Sequence, residues 1–385
     1  MGKFSLLNFI LIFAFIFFFT HSSVGQQQIA SVMHTRHTIN SVTLGEERTI
    51  LVRVPPGYER SSQRFPVLLM LDAHSPQNAM MASIIEAQAF AGAMPEMILV
   101  GIQNTNRLRD LTPTPTERSG SGGGDKFLDF IEKEVLPLVD KTYRTEPYRV
   151  YAGHSLGGLA VVYAMVSRPY LFGGYIAASP VLHWDNNFVV KKVEETFRAN
   201  KEFRKSLFIS LGDEPPYLGG YNAFKDLLKK SAPNGFEYEM NHWTDEDHGS
   251  ILMRTYLAGI RKNFTGWRID PSVQSLLALK SHYGKLSKRF GYEIKPPENV
   301  VKQFGYVLLR SEKIDEAVEA FEENVKLYPD SANVYDSLAE ALVKKGSRSK
   351  ALANYEKAYK MAEQKGEAQL AQAAKANFDR LKNAN

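Results

Sequence analysis

The sequence predicts an α/β fold with a mostly parallel sheet, followed by an all-α domain of helical repeats. Up to about Arg268, short apolar runs alternate with longer amphipathic stretches. Runs that are apolar throughout are typical of strands covered by helices on both faces, and their alternation with helices favours parallel pairing. Beyond Arg268 the apolar runs stop, and small and aromatic residues recur at a spacing of 34 residues.

Six runs have the length and composition of strands. They are Thr49–Val54, Phe65–Leu71, Met97–Ile102, Tyr148–Ala152, Tyr175–Ala178 and Leu207–Leu211. Between the third and fourth runs, Asp125–Val139 places apolar side chains on one face at helical spacing, with Asp125 as a candidate N-cap. Asn106–Gly124 carries two prolines and the run GSGGG, which predicts a mobile surface loop. A phosphate cradle is the alternative for this segment, but no GK[ST] follows it.

The C-terminal repeat consists of two units. Gly305 corresponds to Ala339, Ala317 to Ala351 and Phe321 to Tyr355 in the two units. This period and pattern resemble the tetratricopeptide repeat. Glu367–Leu381 has the character of a final capping helix, because the end of a helical stack needs one polar face. With so few units, the repeats either bind a protein partner or only cover one edge of the preceding domain.

The N-terminus has the order of a secretory signal peptide. Lys3 precedes the apolar run Leu6–Phe19, and small residues end at Gly25. This apolar run has 14 residues, whereas a bilayer span needs about 20. We therefore predict cleavage after Gly25, a periplasmic or secreted protein, and no membrane span after cleavage; an uncleaved anchor is the alternative. The predicted domains are residues 1–25 (signal), 26–270 (α/β domain), 271–297 (helical linker) and 298–385 (repeats with capping helix).

Composition excludes several functional classes. The chain has 385 residues, of which 44% are hydrophobic and 23% charged, as in folded globular proteins. Its net charge of +5 comes from interspersed signs, so we expect no nucleic-acid partner. The sequence contains no cysteine, which excludes disulfides, thiolate nucleophiles and cysteine-ligated metals.

Gly153–Gly157 reads G-x-S-x-G and carries the chemistry. It follows the strand YRVYA and precedes the helix-like run LAVVYAMV. A sharp strand-to-helix turn needs small residues around the nucleophile, so that the Ser155 hydroxyl stands clear of the backbone. The helix that starts there favours negative charge at its first N–H groups. The backbone N–H of Leu156 is therefore a predicted donor to the oxyanion of a tetrahedral intermediate.

A nucleophilic serine needs a base, and His248 is the candidate. It lies in the polar segment Thr244–Ser250, between strand-like FEYEM and helix-like ILMRTYLAGI. In folds with this serine turn, the catalytic residues follow one another along the chain in the order serine, acid, histidine, so the base comes last. His183 and His242 are interpreted as structural or rim residues. The acid should follow the strand ending at Leu211, where Glu214 is preferred over Asp213.

The loop after the second strand run should supply the second oxyanion donor. We predict the backbone N–H of Ala73 or His74, with the His74 side chain either lining the substrate pocket or hydrogen-bonded as a structural residue. Arg107 and Arg109 either bind an anionic substrate or pair with Asp110. These predictions place the oxyanion donors and the cationic side chains on loops next to Ser155.

The sequence resembles the esterase D family of α/β hydrolases over roughly Val32–Arg268. The motifs that carry the resemblance are Gly45–Arg48, Pro55–Tyr58, Leu71-Asp72, Val100–Ile102, Asn104-Thr105 with Arg107, Arg109, Asp110 and Pro113, Gly153–Gly158, Ser179-Pro180 with Trp184-Asp185, and Asp247–Gly249. The family includes siderophore esterases, S-formylglutathione hydrolases and acyl-carbohydrate esterases. The resemblance implies an α/β-hydrolase fold, Ser155 as nucleophile, His248 as base, and Arg107 and Trp184 as candidate substrate contacts.

Two departures from the family pattern affect the site. Asp72-Ala73 stands where family members often have Asp-Gly. The acidic residue also varies within such esterases, so the role of Glu214 as the catalytic acid stays open. We predict an exported serine esterase that cleaves small-molecule carboxylic esters through an acyl-enzyme, with no metal and no organic cofactor. The alternatives are an inactive domain that acts with the repeats as an interaction module, and a serine peptidase on the same fold.

Overall fold

The computed structural model describes residues 34–60, 62–73, 76–270 and 272–384. It contains one eight-stranded sheet in the order β1-β2-β4-β3-β5-β6-β7-β8. The strands are β1 (Thr35–Ser41), β2 (Glu46–Arg53), β3 (Phe65–Met70), β4 (Ile98–Ile102), β5 (Thr145–His154), β6 (Gly174–Ala178), β7 (Ser206–Leu211) and β8 (Glu237–His242). The predicted signal peptide, residues 1–25, lies outside the described residues.

The sheet is parallel except at one edge. β1 pairs antiparallel with β2, and β2 antiparallel with β4, whereas β4, β3, β5, β6, β7 and β8 run parallel. Every residue of β3, β4, β6 and β7 is buried, which explains why these strands are apolar throughout. β1 is an exposed edge strand of sequence TRHTINS, and it was missed because an edge strand needs no apolar run.

Helices cover both faces of this sheet. They are α1 (Pro76–Phe90), α2 (Arg107–Leu111), α3 (Gly124–Phe130), α4 (Leu136–Thr142), α5 (Leu156–Ser167), α6 (Trp184–Ala199), α7 (Pro215–Ser231) and α8 (Ile251–Asn263). The helix predicted over Asp125–Val139 is divided by a π-helical turn, Ile131–Val135, just before Pro137, which lacks a backbone N–H. The N-cap is Gly123 and not Asp125, whose carboxylate accepts a hydrogen bond from Tyr163.

The segment Asn106–Gly124 differs from the predicted loop. It begins with α2, capped by the Asn106 side chain, which accepts from the Arg109 N–H. Thr112 is buried, and its hydroxyl and carbonyl oxygens accept from the N–H groups of Gly122 and Gly124. The prolines and glycines therefore shape a hydrogen-bonded segment that packs on the domain.

The rest of the described chain is helical, as predicted. Its helices are α9 (Leu276–Phe290), α10 (Glu298–Arg310), α11 (Ile314–Leu327), α12 (Ala332–Lys344), α13 (Arg348–Gln364) and α14 (Ala368–Asn383). Small residues allow close helix approach: a Cβ at Gly305 would lie 2.6 Å from the Phe321 ring. The α/β-hydrolase sheet followed by an all-helical region is thus confirmed. The tetratricopeptide assignment and the domain boundaries stay predictions.

α9 attaches the helical region to the sheet. The Phe290 ring centroid lies 4.8 Å from that of Tyr148 and 5.5 Å from that of Phe264. Arg289 Nη2 donates to Glu237 Oε2 at 2.7 Å. Since Tyr148 lies in the first half of β5 and Glu237 begins β8, α9 packs at the amino ends of the parallel strands. Within the described ranges, no helix is both long and apolar enough to span a bilayer.

Candidate active site

Ser155 occupies a strained turn between β5 and α5. Its φ is 60° and its ψ −118°, a backbone conformation that residues other than glycine rarely adopt. The turn depends on flanking glycines, because a Cβ at Gly153 would lie 2.5 Å from the Gly157 carbonyl oxygen. The Ser155 N–H donates to Ala178 O at 2.9 Å, which holds the turn against β6.

Glu214 is the carboxylate that meets the predicted base. His248 Nδ1 lies 2.5 Å from Glu214 Oε2, and Glu214 Oε1 accepts from the Ser179 hydroxyl and, at 3.1 Å, from the Gly212 N–H. Glu214 is 8% exposed, whereas the Asp213 side chain is exposed. The geometry therefore favours Glu214 as the group that orients the imidazole.

His248 lies on a surface segment that its neighbours shape. Asp247 Oδ1 accepts from the N–H groups of Gly249 and Ser250, both at 2.8 Å. These backbone hydrogen bonds, that of Ser250 first, lower the pKa of the Asp247 carboxyl. The His248 ring lies 4.4 Å from the ring of His154, the residue before Ser155. The base and the nucleophile are thus brought to the same strand end.

The other two histidines have supporting positions. His242 Nε2 donates to Gly212 O at 3.1 Å and so holds the turn that precedes Glu214. The His183 ring lies 5.1 Å from Tyr217, whose ring in turn packs edge-on against His248 at 5.3 Å. Burial, and secondarily the charge of Arg118, lower the pKa of His183.

The prediction of Ala73 as an oxyanion donor is wrong. Its N–H donates to Ile102 O at 3.1 Å and is therefore committed to the end of β4. The reason is the turn at Asp72, whose φ of 59° redirects the chain. The alternative donor and candidate pocket residue, His74, lies outside the described residues. Leu156 is the first residue of α5, where backbone N–H groups have no acceptor within the helix.

Arg107 connects two loops of the site. Its Nε donates to Asp72 Oδ1 at 2.8 Å, and its Nη2 to His154 O at 2.9 Å. The expected pairing with Asp110 is wrong for Arg107 but is present for Arg109, which also binds Glu46. Direct substrate contact by Arg107 stays a prediction; its observed bonds join the turn after β3 to the strand that carries Ser155.

Trp184 is almost fully buried, with 5% of its surface exposed. Its indole N–H donates to Thr114 Oγ1 at 3.1 Å, and the Arg118 guanidinium lies 6.0 Å from its ring. The side chain therefore ties the Asn106–Gly124 segment to α6. Its predicted contact with substrate stays a prediction, and the exposed part available for such a contact is small.

Sequence reasoning missed the roles of Asp72, Ser179 and Tyr217. Asp72 and Ser179 follow the ends of β3 and β6 and have positive φ values of 59° and 39°, as Ser155 does after β5. A polar residue directly after a buried strand was the available signal, because loops at the carboxyl edge of a parallel sheet carry functional groups. Tyr217 gave no such signal, since it lies within the first turn of α7.

Comparisons with known proteins identify the family of the domain that carries this site. The Esterase family model matches residues 41–209. Ferri-bacillibactin esterase BesA of Bacillus subtilis strain 168 is 30% identical over 220 residues, which are 49% of this chain and 75% of that protein. The siderophore triacetylfusarinine C esterase of Aspergillus fumigatus is 31% identical over 192 residues, 42% of this chain and 66% of its own.

A solved structure extends the likeness to most of the chain. The IroE-like serine hydrolase of Shewanella oneidensis superposes with a TM-score of 0.69 at 30% identity. The match covers 77% of this chain and all of that one. The described site and the relatives therefore point to the same chemistry, the attack of a serine on an ester.

Proposed function

Because the chain belongs to the esterase family and is a serine hydrolase acting on carboxylic esters, we propose that it cleaves the ester bonds of siderophores. The observation that carries the catalytic assignment is the buried Glu214 bonded to His248, beside the strained Ser155. Support for the substrate class comes from the relatives, two of which are named as siderophore esterases.

The proposed reaction has two halves. Ser155 Oγ attacks the ester carbonyl, and its proton passes to His248. The tetrahedral intermediate places its negative oxygen at the start of α5, where the Leu156 N–H stabilises it. The carbon–oxygen bond to the alcohol then breaks, and His248 protonates the leaving alkoxide.

Deacylation repeats these steps with water. His248 takes a proton from the water, whose oxygen attacks the acyl-enzyme, and the proton returns to Ser155 as the acid leaves. In both halves Glu214 accepts a hydrogen bond from the His248 Nδ1–H and stabilises the imidazolium that forms.

Hydrolysis of p-nitrophenyl acetate by the purified protein and by Ser155→Ala tests the mechanism. We expect at least about a 10³-fold loss of kcat in the variant. Chromatography of ferric bacillibactin and ferric triacetylfusarinine C after incubation then tests the substrate class. Release of the acyl monomers by the wild type alone supports the proposal. Turnover of p-nitrophenyl acetate without cleavage of either siderophore would leave a serine esterase of another substrate class.

We further propose that the protein is exported and that residues 298–385 are tetratricopeptide repeats. The N-terminal order of charge, apolar run and small residues supports export. The helical hairpins α10–α11 and α12–α13 support the repeat assignment. Mass spectrometry of the protein from the extracytoplasmic fraction tests export: an N-terminus at Gln26 agrees with it, and an intact Met1 in the cytoplasmic fraction contradicts it.

A further inference from the structure

His154 has no part in the proton transfers above, yet its side chain lies against the proposed base. The His154 and His248 ring centroids are 4.4 Å apart, with an angle of 44° between the planes. Since His154 is the last residue of β5 and precedes Ser155, one side chain joins the nucleophile strand to the histidine segment.

The protonation state of His154 follows from its surroundings. Its Nε2 is buried without a hydrogen-bond partner. Burial first, then the charge of His248 and last that of Arg107 lower the pKa of His154 to about 4, while Asp72 opposes the shift. The ring is therefore neutral at neutral pH and adds no charge beside His248.

The histidine segment depends on such contacts because it has little burial of its own. Residues 244, 245, 247, 249 and 250 are exposed. Glu214 fixes the Nδ1 edge of His248, and the Tyr217 ring packs against it edge-on. His154 supplies the contact from the Ser155 side, and its own backbone is held by Arg107 through His154 O at 2.9 Å.

We infer that His154 is a positioning residue: its side chain holds the His248 segment at the strand end that carries Ser155. The inference rests on the proposed roles of Ser155 and His248. A catalytic group displaced by about 1 Å loses on the order of 100-fold in rate. Loss of the His154 contacts should thus lower kcat and leave KM nearly unchanged, because His154 touches the base and not the substrate.

Two variants test the ring contact. His154→Phe keeps an aromatic ring at this position, and His154→Ala removes it. For p-nitrophenyl acetate we expect kcat to fall about 10- to 100-fold in His154→Ala, with KM within about twofold, and to be largely retained in His154→Phe. Tyr151→Phe is the matched control, since Tyr151 lies on the same strand, fully buried, with an unpartnered hydroxyl.

Hydrogen–deuterium exchange of the amides of residues 244–250 provides a readout that needs no turnover. We expect faster exchange there in His154→Ala, and wild-type exchange in His154→Phe and Tyr151→Phe. Equal kcat and equal exchange in all three variants would overturn the inference, as would kcat losses that merely follow the loss in Tm. A wild type without esterase activity but with this exchange pattern would contradict the proposed function and leave the positioning role standing.

Discussion

The two edges of the parallel sheet are built in opposite ways. At the carboxyl edge, Asp72, Ser155 and Ser179, which follow β3, β5 and β6, have positive φ although none is glycine, and the buried Glu214 carries several hydrogen bonds. At the amino edge, the rings of Tyr148 and Phe264 pack against each other and against Phe290 of α9. Strain and buried charge are thus concentrated where the chemistry occurs, and apolar packing where the helical region is attached.

The magnitudes of these two contributions are comparable. Each strained backbone conformation costs on the order of 1–3 kcal/mol, and each aromatic pair contributes about 0.5–1.5 kcal/mol beyond the burial of its surface. Such strain persists only when the surrounding structure determines it. The comparison predicts that substitutions at the carboxyl edge lower the rate, whereas substitutions at the amino edge lower stability and leave the rate unchanged.

The largest effect is expected at the carboxyl edge, from Glu214→Gln. The amide no longer stabilises the imidazolium and can select the wrong tautomer, so kcat should fall about 10³- to 10⁴-fold while the protein stays folded. Steady-state kinetics and circular dichroism measure the two parts. Asp213→Asn, at the exposed neighbouring carboxylate, is the control and should retain the wild-type kcat. Equal losses in both variants would mean that Glu214 is not the orienting acid.

At the amino edge, Phe290→Ala should destabilise the protein by about 3–5 kcal/mol, because it removes a ring that is 4% exposed. Well below the melting temperature, kcat/KM should remain as in the wild type, since the catalytic residues lie at the other edge. Thermal denaturation and the ester assay test this pair of outcomes. Phe90→Ala, at a side chain that is 97% exposed, should change neither the melting temperature nor kcat/KM. A large fall in kcat/KM for Phe290→Ala would contradict the separation of the two edges.

The pH dependence of the free energy of unfolding should reveal the titration of the His154 side chain. Its pKa in the folded protein is about 4, below the usual value of about 6.5, so the unfolded chain binds the proton first. Stability should therefore fall as the pH drops from 6.5 to 4, by about 3 kcal/mol from this group. Urea denaturation across this range should show a smaller fall in the free energy of unfolding for His154→Asn than for Tyr151→Phe. If the free energy of unfolding falls with pH equally in both variants, His154 titrates normally.

The smallest effect is expected from Arg107→Met, which removes two hydrogen bonds from the buried Asp72 and one from His154 O. We expect a loss of about 2–3 kcal/mol in stability and a fall in kcat of about tenfold. Denaturation and steady-state kinetics measure these quantities. Arg204→Met is the control, because Arg204 pairs with Glu202 on the exposed surface. Unchanged kcat with lowered stability would confine Arg107 to a structural role.

The errors of prediction have a common physical origin. Ala73 was chosen because it follows the second predicted strand, but the positive φ of Asp72 turns its N–H toward Ile102 O. A pair with Asp110 was one of the two alternatives for Arg107, whereas its guanidinium binds Asp72, 35 residues away. Both cases depend on the backbone direction after a strand, which periodicity does not report.

The sequence by itself determined the parallel sheet, the helical C-terminal region and the place of Ser155. Buried strands must be apolar on both faces, and a strand-to-helix turn around a serine needs glycine, so both leave a local pattern. Only the tertiary structure decided between Asp213 and Glu214. The choice depends on which side chain the turn after β7 directs toward His248, and that direction is set by contacts with Ser179 and Gly212 rather than by residue type.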